Sequence, residues 1–156
     1  MSVPHGRPDA TELKLLTSSR RAVLATISAD GRPRLVPMAF AFVVPAVGPL
    51  VLYSALDEKP KSVADPRNLA RVKDVVARPR VSVLVDDWSE DWSSLAWLRL
   101  DGDATLVEPD PGAAGEHRTA VSLLRERYPQ YATHRLEERP MLRIEVEHVV
   151  GWSARG

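Results

Sequence analysis

The sequence predicts a mainly β protein, a closed antiparallel barrel with short helices. Six segments have the composition or alternation of β-strands, the first of them are joined by hairpin-like turns, and the helical segments are short. The same features also fit a β-sandwich. At 156 residues the chain has the length of one ordinary domain, and two domains would each be undersized. We therefore expect a single domain over residues 1–156.

The chain is predicted to begin with a helix and then a strand. Asp9 and Glu12 have the spacing of a capping box, which predicts a short helix over residues 10–18. Residues 21–27 (RAVLATI) are rich in β-favouring side chains and predict the first strand. The dipeptide Asp30-Gly31 that follows is a strong signal for a hairpin.

The second and third strands are expected on either side of another turn. Residues 34–44 (RLVPMAFAFVV) predict one long strand, and Gly48-Pro49 turns the chain into a third strand over residues 50–54. Pro37 cannot donate a hydrogen bond to a neighbouring strand. We therefore expect the second strand to lie at a sheet edge or to open locally at Pro37.

A second helix and a buried strand are predicted next. Asp65 and Pro66 have the residue types of an N-cap and a first helical position, so they predict a helix start. Pro79 ends this helix, and residues 80–85 (RVSVLV) follow as a strand. The expected apolar face of the helix consists of Leu69, Val72, Val75 and Val76.

The last third of the chain is predicted as strand, helix, strand. Residues 95–107 form a long strand with a bulge expected at Gly102. A helix over residues 116–128 follows a turn-rich link. Residues 141–150 (MLRIEVEHVV) alternate well and predict the final strand.

The composition argues against several classes of function. Lys and Arg total 21 and Asp and Glu total 21, a net charge of zero, whereas proteins that bind nucleic acid usually carry a basic excess. The absence of cysteine excludes disulfides and thiolate chemistry and fits a reducing cytoplasm. The N-terminus has no apolar run, so neither a leader nor a membrane span is expected there. The four histidines lack the spacings that place two ligands on one metal, so no metal site is expected.

No motif assigns a catalytic residue. The chain has no Gly-x-Ser-x-Gly elbow, no Walker loop and no Gly-x-Gly-x-x-Gly. Residues 86–94 (DDWSEDWSS) hold four carboxylates, but nothing distinguishes an acid–base pair among them. We interpret this segment as a solvated loop whose tryptophans, Trp88 and Trp92, pack against another surface.

A candidate anion site lies around the predicted start of the second helix. A helix N-terminus favours anions through its free N–H groups and its dipole, and neighbouring cations add point charges. The alternative is a solvated charged loop. Residues of this candidate site are Lys59, Lys61, Arg67, Asn68 and Arg71.

Three segments stand in the order and spacing of a known family: RAVLATISADGRPRLVPMAFAF, LVLYSALDEKPKSVADPRNLARVKDVVARPRVSVLV and LRLDGDATLV. Together they resemble the pyridoxamine 5'-phosphate oxidase-like family of split-barrel flavoproteins. The runs KPKSVADPR, SEDWSSLAWLRLDG and LLRERYPQY resemble its coenzyme F420-dependent (deazaflavin) branch. The resemblance implies a split β-barrel that forms a homodimer and binds F420, or alternatively FMN, at the subunit interface.

The resemblance also implies roles for particular residues. Lys59 and Lys61 would hold the cofactor phosphate, with Arg34 as a further phosphate contact. Asn68 is a weaker candidate, because, relative to that family, the chain has inserted residues around 62–66, between these lysines and the helix. Trp152 either closes the pocket from the partner subunit or caps the barrel. Residues expected along or near the ring are Val36, Pro37, Met38, Tyr53 and Ser54.

The implied activity is hydride transfer between a reduced deazaflavin cofactor and a small organic substrate. Such chemistry belongs to the cofactor, so the protein need only position and shield the ring. This would explain why no catalytic motif is found. The alternatives are an FMN-dependent oxidase or oxidoreductase of the same family, and a non-catalytic flavin-binding module.

Overall fold

The computed structural model describes residues 3–57, 63–111 and 115–156. Lys59 and Lys61 therefore lie outside the described residues. The described part of the chain is mainly β, with one seven-stranded antiparallel sheet in the order β2-β1-β5-β6-β7-β4-β3. Its strands are β1 (Ala22–Ile27), β2 (Pro33–Met38), β3 (Ala41–Val43), β4 (Val51–Ala55), β5 (Arg80–Asp87), β6 (Ala96–Val107) and β7 (Met141–Ser153).

The two edge strands of the sheet follow one another in the chain, and this brings the edges together. β2 is one edge and β3 is the other, and only Ala39 and Phe40 separate them. The Phe40 side chain is fully buried, and its N–H donates to the Tyr128 hydroxyl at 3.1 Å. The long strand predicted over residues 34–44 is therefore broken here, which gives seven strands instead of six. The edge position expected for Pro37 is confirmed.

Within the described ranges, three α-helices accompany the sheet: α1 (Ala10–Ser18), α2 (Ala70–Ala77) and α3 (Glu116–Arg127). The capping box of α1 is confirmed, since the Asp9 carboxylate accepts from the Glu12 N–H and the Glu12 carboxylate accepts from the Asp9 N–H, both at 2.9 Å. Reciprocal capping satisfies two backbone donors that the first helical turn would otherwise leave unpaired.

The start predicted for the second helix is wrong in part. Asp65 caps a short 3₁₀ turn, Pro66–Asn68, and α2 begins only at Ala70. Val76 was expected on the buried face but is 71 % exposed. The reason is Asp74, which is buried and accepts hydrogen bonds from β1 and β2. Anchoring this carboxylate turns the helix so that Val76 faces outward.

The apolar side chains form two cores on opposite sides of the sheet. One fills the barrel between the strands, and its fully buried members include Leu24, Val83, Leu100 and Ile144. The other lies outside the barrel, where α3 covers the outer face of β3, β4 and β7 with Ala120, Val121 and Leu124. We call this second region the covered face.

The bulge expected at Gly102 is confirmed. The β6–β7 register shifts between Asp101 and Gly102, and a Cβ built on Gly102 would lie 2.0 Å from the backbone oxygen of Glu145. Only glycine allows the two strands to approach this closely.

Beyond the covered face, the outer side of β2, β1 and β5 carries exposed apolar side chains in the described residues. Leu35 is 67 % exposed, Leu84 is 40 % exposed and Ile27 is 37 % exposed. Strand register places Leu35 opposite Ala25, and Val23 between Pro37 and Leu84. We call this surface of β2, β1 and β5 the open face; its members are Val23, Ala25, Ile27, Leu35, Pro37 and Leu84.

Candidate functional site

A cleft of about 550 Å³ opens where β2 and β3 part. This size lies within the range of small-molecule sites. One wall is the edge strand β2 and another is the end of β4. Further lining residues come from the two positions before β1, from α2 and from the segment at and after the end of α3. The lining residues are Arg20, Arg21, Val36, Pro37, Met38, Ala39, Ser54, Ala55, Asp57, Arg71, Tyr128, Gln130, Tyr131 and His134.

Three arginines give the cleft a positive character. Arg20 and Arg21 are exposed at its rim, where β1 begins, and the Arg20 guanidinium lies 4.6 Å from the centre of the Tyr128 ring. Arg71 lies deeper, and burial lowers the pKa of its guanidinium while the nearby Asp57 carboxylate raises it. Among the described residues no hydrogen bond or ion pair engages the Arg71 side chain. A partly desolvated guanidinium of this kind favours an anionic ligand.

A buried polar network shapes the floor of the cleft. The Tyr131 hydroxyl donates to the Asp57 carboxylate at 2.8 Å, and burial together with that carboxylate raises the pKa of Tyr131. Arg139 donates to the backbone oxygens of Leu56 and Asp57, at 2.6 and 3.0 Å. These contacts fix the chain at the end of β4, immediately before the segment that holds Lys59 and Lys61. Asp57 and Tyr131 are thus held in one position at the cleft floor.

Four of the residues predicted along or near the ring meet in this cleft. Val36, Pro37 and Met38 line it from β2, and Ser54 lines it from β4. The Ser54 hydroxyl donates to the Ala39 oxygen at 2.9 Å, so this side chain joins the two walls at the point where the sheet is split. The apolar strand and the arginines together offer a surface for a ring and a place for an anion.

Tyr53, Arg34 and Asn68 do not line the cleft. Tyr53 points to the covered face, where its hydroxyl donates to Glu116 at 2.6 Å, and burial followed by that carboxylate raises the pKa of Tyr53 to about 12. Because successive strand residues face opposite sides of a sheet, Tyr53 faces α3 while Ser54 faces the other side.

Arg34 and Asn68 also lie away from the cleft, Arg34 in an ion pair and Asn68 on an exposed turn. The Arg34 Nε donates to the Asp74 Oδ2 at 2.7 Å, and the Thr26 hydroxyl donates to the same oxygen at 2.8 Å. This ion pair ties β2 to α2. Asn68 is exposed on the 3₁₀ turn before α2. Neighbouring Arg67 is paired with Glu108 and Asp65, so of the cations predicted near this helix and described in the structure, only Arg71 reaches the cleft.

Several cleft residues were not predicted as site residues. Tyr128, Tyr131 and His134 come from the end of α3 and the 3₁₀ turn after it, Pro129–Thr133, and no pairing signal in the sequence links that segment to β2. The adjacent pair Arg20-Arg21, just before a strand, was the one visible signal. Among the described residues no three His, Asp or Glu side chains lie close enough together to hold a metal ion. None of the helices in the described ranges has the length and hydropathy needed to cross a bilayer.

A seven-stranded barrel that is split between two edge strands, with a cleft at the split, defines the class of split-barrel proteins to which flavoproteins belong. The family model for pyridoxamine 5'-phosphate oxidase matches residues 8–153, and the chain belongs to that family. No curated protein matches the chain.

Solved structures resemble the chain along almost its whole length. A conserved hypothetical protein of Mycobacterium tuberculosis is 24 % identical with a TM-score of 0.70, and the match covers 96 % of this chain and 88 % of that one. An FAD-binding protein of Mesorhizobium loti is 25 % identical with a TM-score of 0.61 and coverage of 96 % and 95 %. A haem storage protein of Vibrio cholerae is 15 % identical with a TM-score of 0.60 and coverage of 94 % for each chain. The fold is thus shared by proteins that bind quite different ring systems.

Proposed function

We propose that this chain is a cytoplasmic, homodimeric oxidoreductase that uses coenzyme F420 to transfer a hydride to or from a small organic substrate. The observation that carries the proposal is the cleft at the split of the barrel. It combines an apolar strand edge at Val36–Met38, suited to a flat ring, with the guanidinium of Arg71, which no described residue hydrogen-bonds or ion-pairs and which suits an anion. F420 has both parts, a deazaflavin ring and an extended anionic tail.

The family supports a flavin-type cofactor, and the resemblance of three short runs to the F420-dependent branch supports F420 over FMN. FMN ends at its phosphate and needs fewer cations than a longer anionic tail. Arg71 in the cleft, together with the lysines predicted nearby in the sequence, is consistent with the longer cofactor. Lys59 and Lys61 remain predicted phosphate contacts, from the sequence alone.

When bound, the cofactor supplies the hydride chemistry. The chain's own residues would bind and orient it: Arg71 holds an anionic group, and β2 presents an apolar edge to the ring. The cleft walls exclude water from that edge. No residue is assigned as a proton donor.

The homodimer is part of the proposal and is supported by the open face. A contiguous exposed apolar surface is a frequent mark of a protein interface. Pro37 belongs to both the open face and the cleft wall, so a partner seated on this face would lie beside the cleft. That location agrees with a cofactor site shared between two subunits.

Haem binding is a second candidate function, favoured by one observation. His134 lines the cleft, 5.4 Å from the Tyr131 ring between ring centres, and histidine is a common axial ligand of haem iron. A module of this kind would bind a ring system without turning over an organic substrate.

Titrations of the purified protein with F420, FMN and haemin test these alternatives. We expect F420 to bind at least about tenfold more tightly than FMN, followed by fluorescence, and its reduced form to be oxidised by some member of a substrate panel. Tighter FMN binding would transfer the protein to the FMN-dependent alternative. A haem absorption band without flavin binding would favour the module, and binding of none of the three would refute the cofactor proposal.

The anion contact has a matched control on the same helix. The Arg71→Gln variant should weaken F420 binding by about 10- to 100-fold, the worth of one charge-assisted hydrogen bond. Arg78, at the exposed end of α2, does not line the cleft, and Arg78→Gln should leave the affinity unchanged. Equal affinities of the two variants would remove Arg71 from the site. Lys59→Ala and Lys61→Ala test the predicted phosphate contacts in the same assay.

A further inference from the structure

The loop between β5 and β6 carries two tryptophans whose side chains are exposed to solvent. Trp88 and Trp92 are each 70 % exposed in the chain, so the described part of this chain does not supply the surface that they were expected to pack against. Together two such side chains present roughly 300 Å² of ring surface. An apolar area of this size on one short loop is a mark of an interaction site. We call residues 86–94 the tryptophan arm.

The tryptophan arm is held in one conformation by its own hydrogen bonds. The Asp91 carboxylate accepts from the Ser93 N–H at 3.0 Å and from the Ser93 hydroxyl at 2.6 Å. The Ser94 hydroxyl donates to the Asp91 backbone oxygen at 2.8 Å. These contacts cap the short 3₁₀ helix Trp92–Ser94. The exposed rings are thus presented by an ordered turn, so little conformational entropy is lost if they pack against a partner.

The charge of the arm is opposite to that of the cleft rim. Its four carboxylates, with no lysine or arginine among residues 86–94, make the arm strongly acidic. The rim carries Arg20 and Arg21, both exposed. Arg71 lies deeper and stays available for an anionic ligand. Complementary charges of this kind select which surfaces meet and fix their register.

The arm and the cleft lie at the same end of the sheet, on opposite sides of the open face. β1 runs antiparallel to β5 with Val23 opposite Leu84, so the start of β1, where Arg21 lies, is level with Asp86 at the base of the arm. In the strand order β2-β1-β5-β6, the cleft adjoins β2 and the arm joins β5 to β6. The part of the open face on β1 and β5 lies between the β2 wall of the cleft and the arm.

Two-fold symmetry then determines which segments of the two subunits come into contact. If two copies pack through the open face about an axis parallel to the strands, between β1 and β5, each end of the sheet stays level with the same end of the partner. The same rotation places β2 of one copy over β6 of the other. In such an isologous contact the arm of each subunit lies at the cleft of its partner, so the dimer contains two equivalent arm–cleft contacts.

We propose that the tryptophan arm of one subunit covers the arginine cleft of its partner, with Trp88 and Trp92 over the cleft mouth and the arm carboxylates beside Arg20 and Arg21. The inference rests on the homodimer of the proposed function and assigns the segment that completes each site.

Cross-linking tests the contact without any cofactor, because the chain has no cysteine of its own. A Glu90→Cys variant, changed at an exposed arm position, is mixed with an Arg21→Cys variant and treated with a short bismaleimide. We expect a covalent dimer in several-fold higher yield than when Arg21→Cys is replaced by Arg118→Cys, an exposed position on α3. Equal yields, or cross-linking only within a single chain that carries both Glu90→Cys and Arg21→Cys, would overturn the proposal.

Mixed dimers test whether the arm acts on the partner's site. A subunit with Trp88→Ser and Trp92→Ser is combined with an Arg71→Gln subunit, and F420 or FMN is titrated. If the arm acts across the interface, each mixed dimer regains one intact site, so tight binding returns for about half of the mixed-dimer sites. If no tight site returns although wild-type protein binds, the arm acts within its own chain and the proposal is wrong. If wild-type protein binds neither cofactor, the proposed function fails while the cross-linking result still decides the contact.

Discussion

The covered face and the open face belong to the same sheet, yet the chain treats them differently. The helix α3 packs on β3, β4 and β7, and Leu124 is completely buried there. On β2, β1 and β5 comparable apolar side chains stay exposed, Leu35 among them at 67 %. Burial of apolar area stabilises in either case, whether the cover comes from the same chain or from another. We infer that α3 stabilises the folded monomer, whereas the open face is the surface through which the proposed homodimer forms.

The largest effect is expected from a substitution in the covered face. Leu124→Ala should lower the free energy of unfolding by about 2–5 kcal/mol, because it removes packed atoms and leaves a cavity. Urea unfolding measures this change. Val76→Ala is the control, since Val76 is 71 % exposed and surface changes usually stay within about 0.5 kcal/mol. A similar loss in the two variants would mean that α3 does not carry monomer stability.

A charge in the open face should separate association from folding. Leu35→Glu would bury an unpaired carboxylate in the proposed interface, so we expect the dimer dissociation constant to rise at least about 100-fold. The folded monomer should persist, with an unchanged circular dichroism spectrum. Sedimentation over a range of protein concentrations measures the change. Val47→Glu, at a position 91 % exposed outside the open face, should leave association as it is; if it acts equally, the open face is not the interface.

The seam between β6 and β7 links the part of the sheet under the covered face to the part that carries the open face. Gly102→Ala places a Cβ against the Glu145 backbone oxygen, so the strands must move apart at a cost of about 1–3 kcal/mol. We expect a lower unfolding midpoint in urea. Gly6→Ala is matched to it, because no atom of the described residues lies within 4 Å of a Cβ at Gly6. An unchanged midpoint in the Gly102 variant would show that the bulge adapts to a methyl group.

The fold could be predicted from local signals because most of them act over a few residues. The capping box at Asp9, the Asp30-Gly31 turn and the Gly102 bulge are such signals, and the structure confirms the helix and the bulge. The break at Ala39–Phe40 could not be predicted, because it depends on the contact of Phe40 with Tyr128, 88 residues away in sequence. For the same reason the sequence predicted Val36, Pro37, Met38 and Ser54 as site residues but not Tyr128, Tyr131 or His134. Strand alternation alone could have shown that Tyr53 and Ser54 face opposite sides.

The smallest effect on stability is expected in the N-terminal segment, which covers part of β7 and pairs with it through His5 and Val149. The His5 Nε2 lies 2.8 Å from the Glu12 Oε2. A hydrogen bond to the Val3 oxygen, followed by that carboxylate, raises the pKa of His5 above 6.5. A histidine with a raised pKa stabilises the fold fully below the unfolded-state value and loses that contribution as the pH rises through the folded-state value.

Stability should therefore fall between about pH 6.5 and the pH at which folded His5 loses its proton. The change should stay below about 1 kcal/mol, because His5 is about one third exposed and solvent screens the pair. Urea midpoints at pH 5.5 and pH 8.5 measure it, and His5→Gln should remove that part of the difference. His148→Gln is the control, because His148 is exposed on β7. If the pH dependence survives His5→Gln unchanged, the segment is held by its backbone pairing with Val149 alone, and the proton on His5 contributes nothing to this cover.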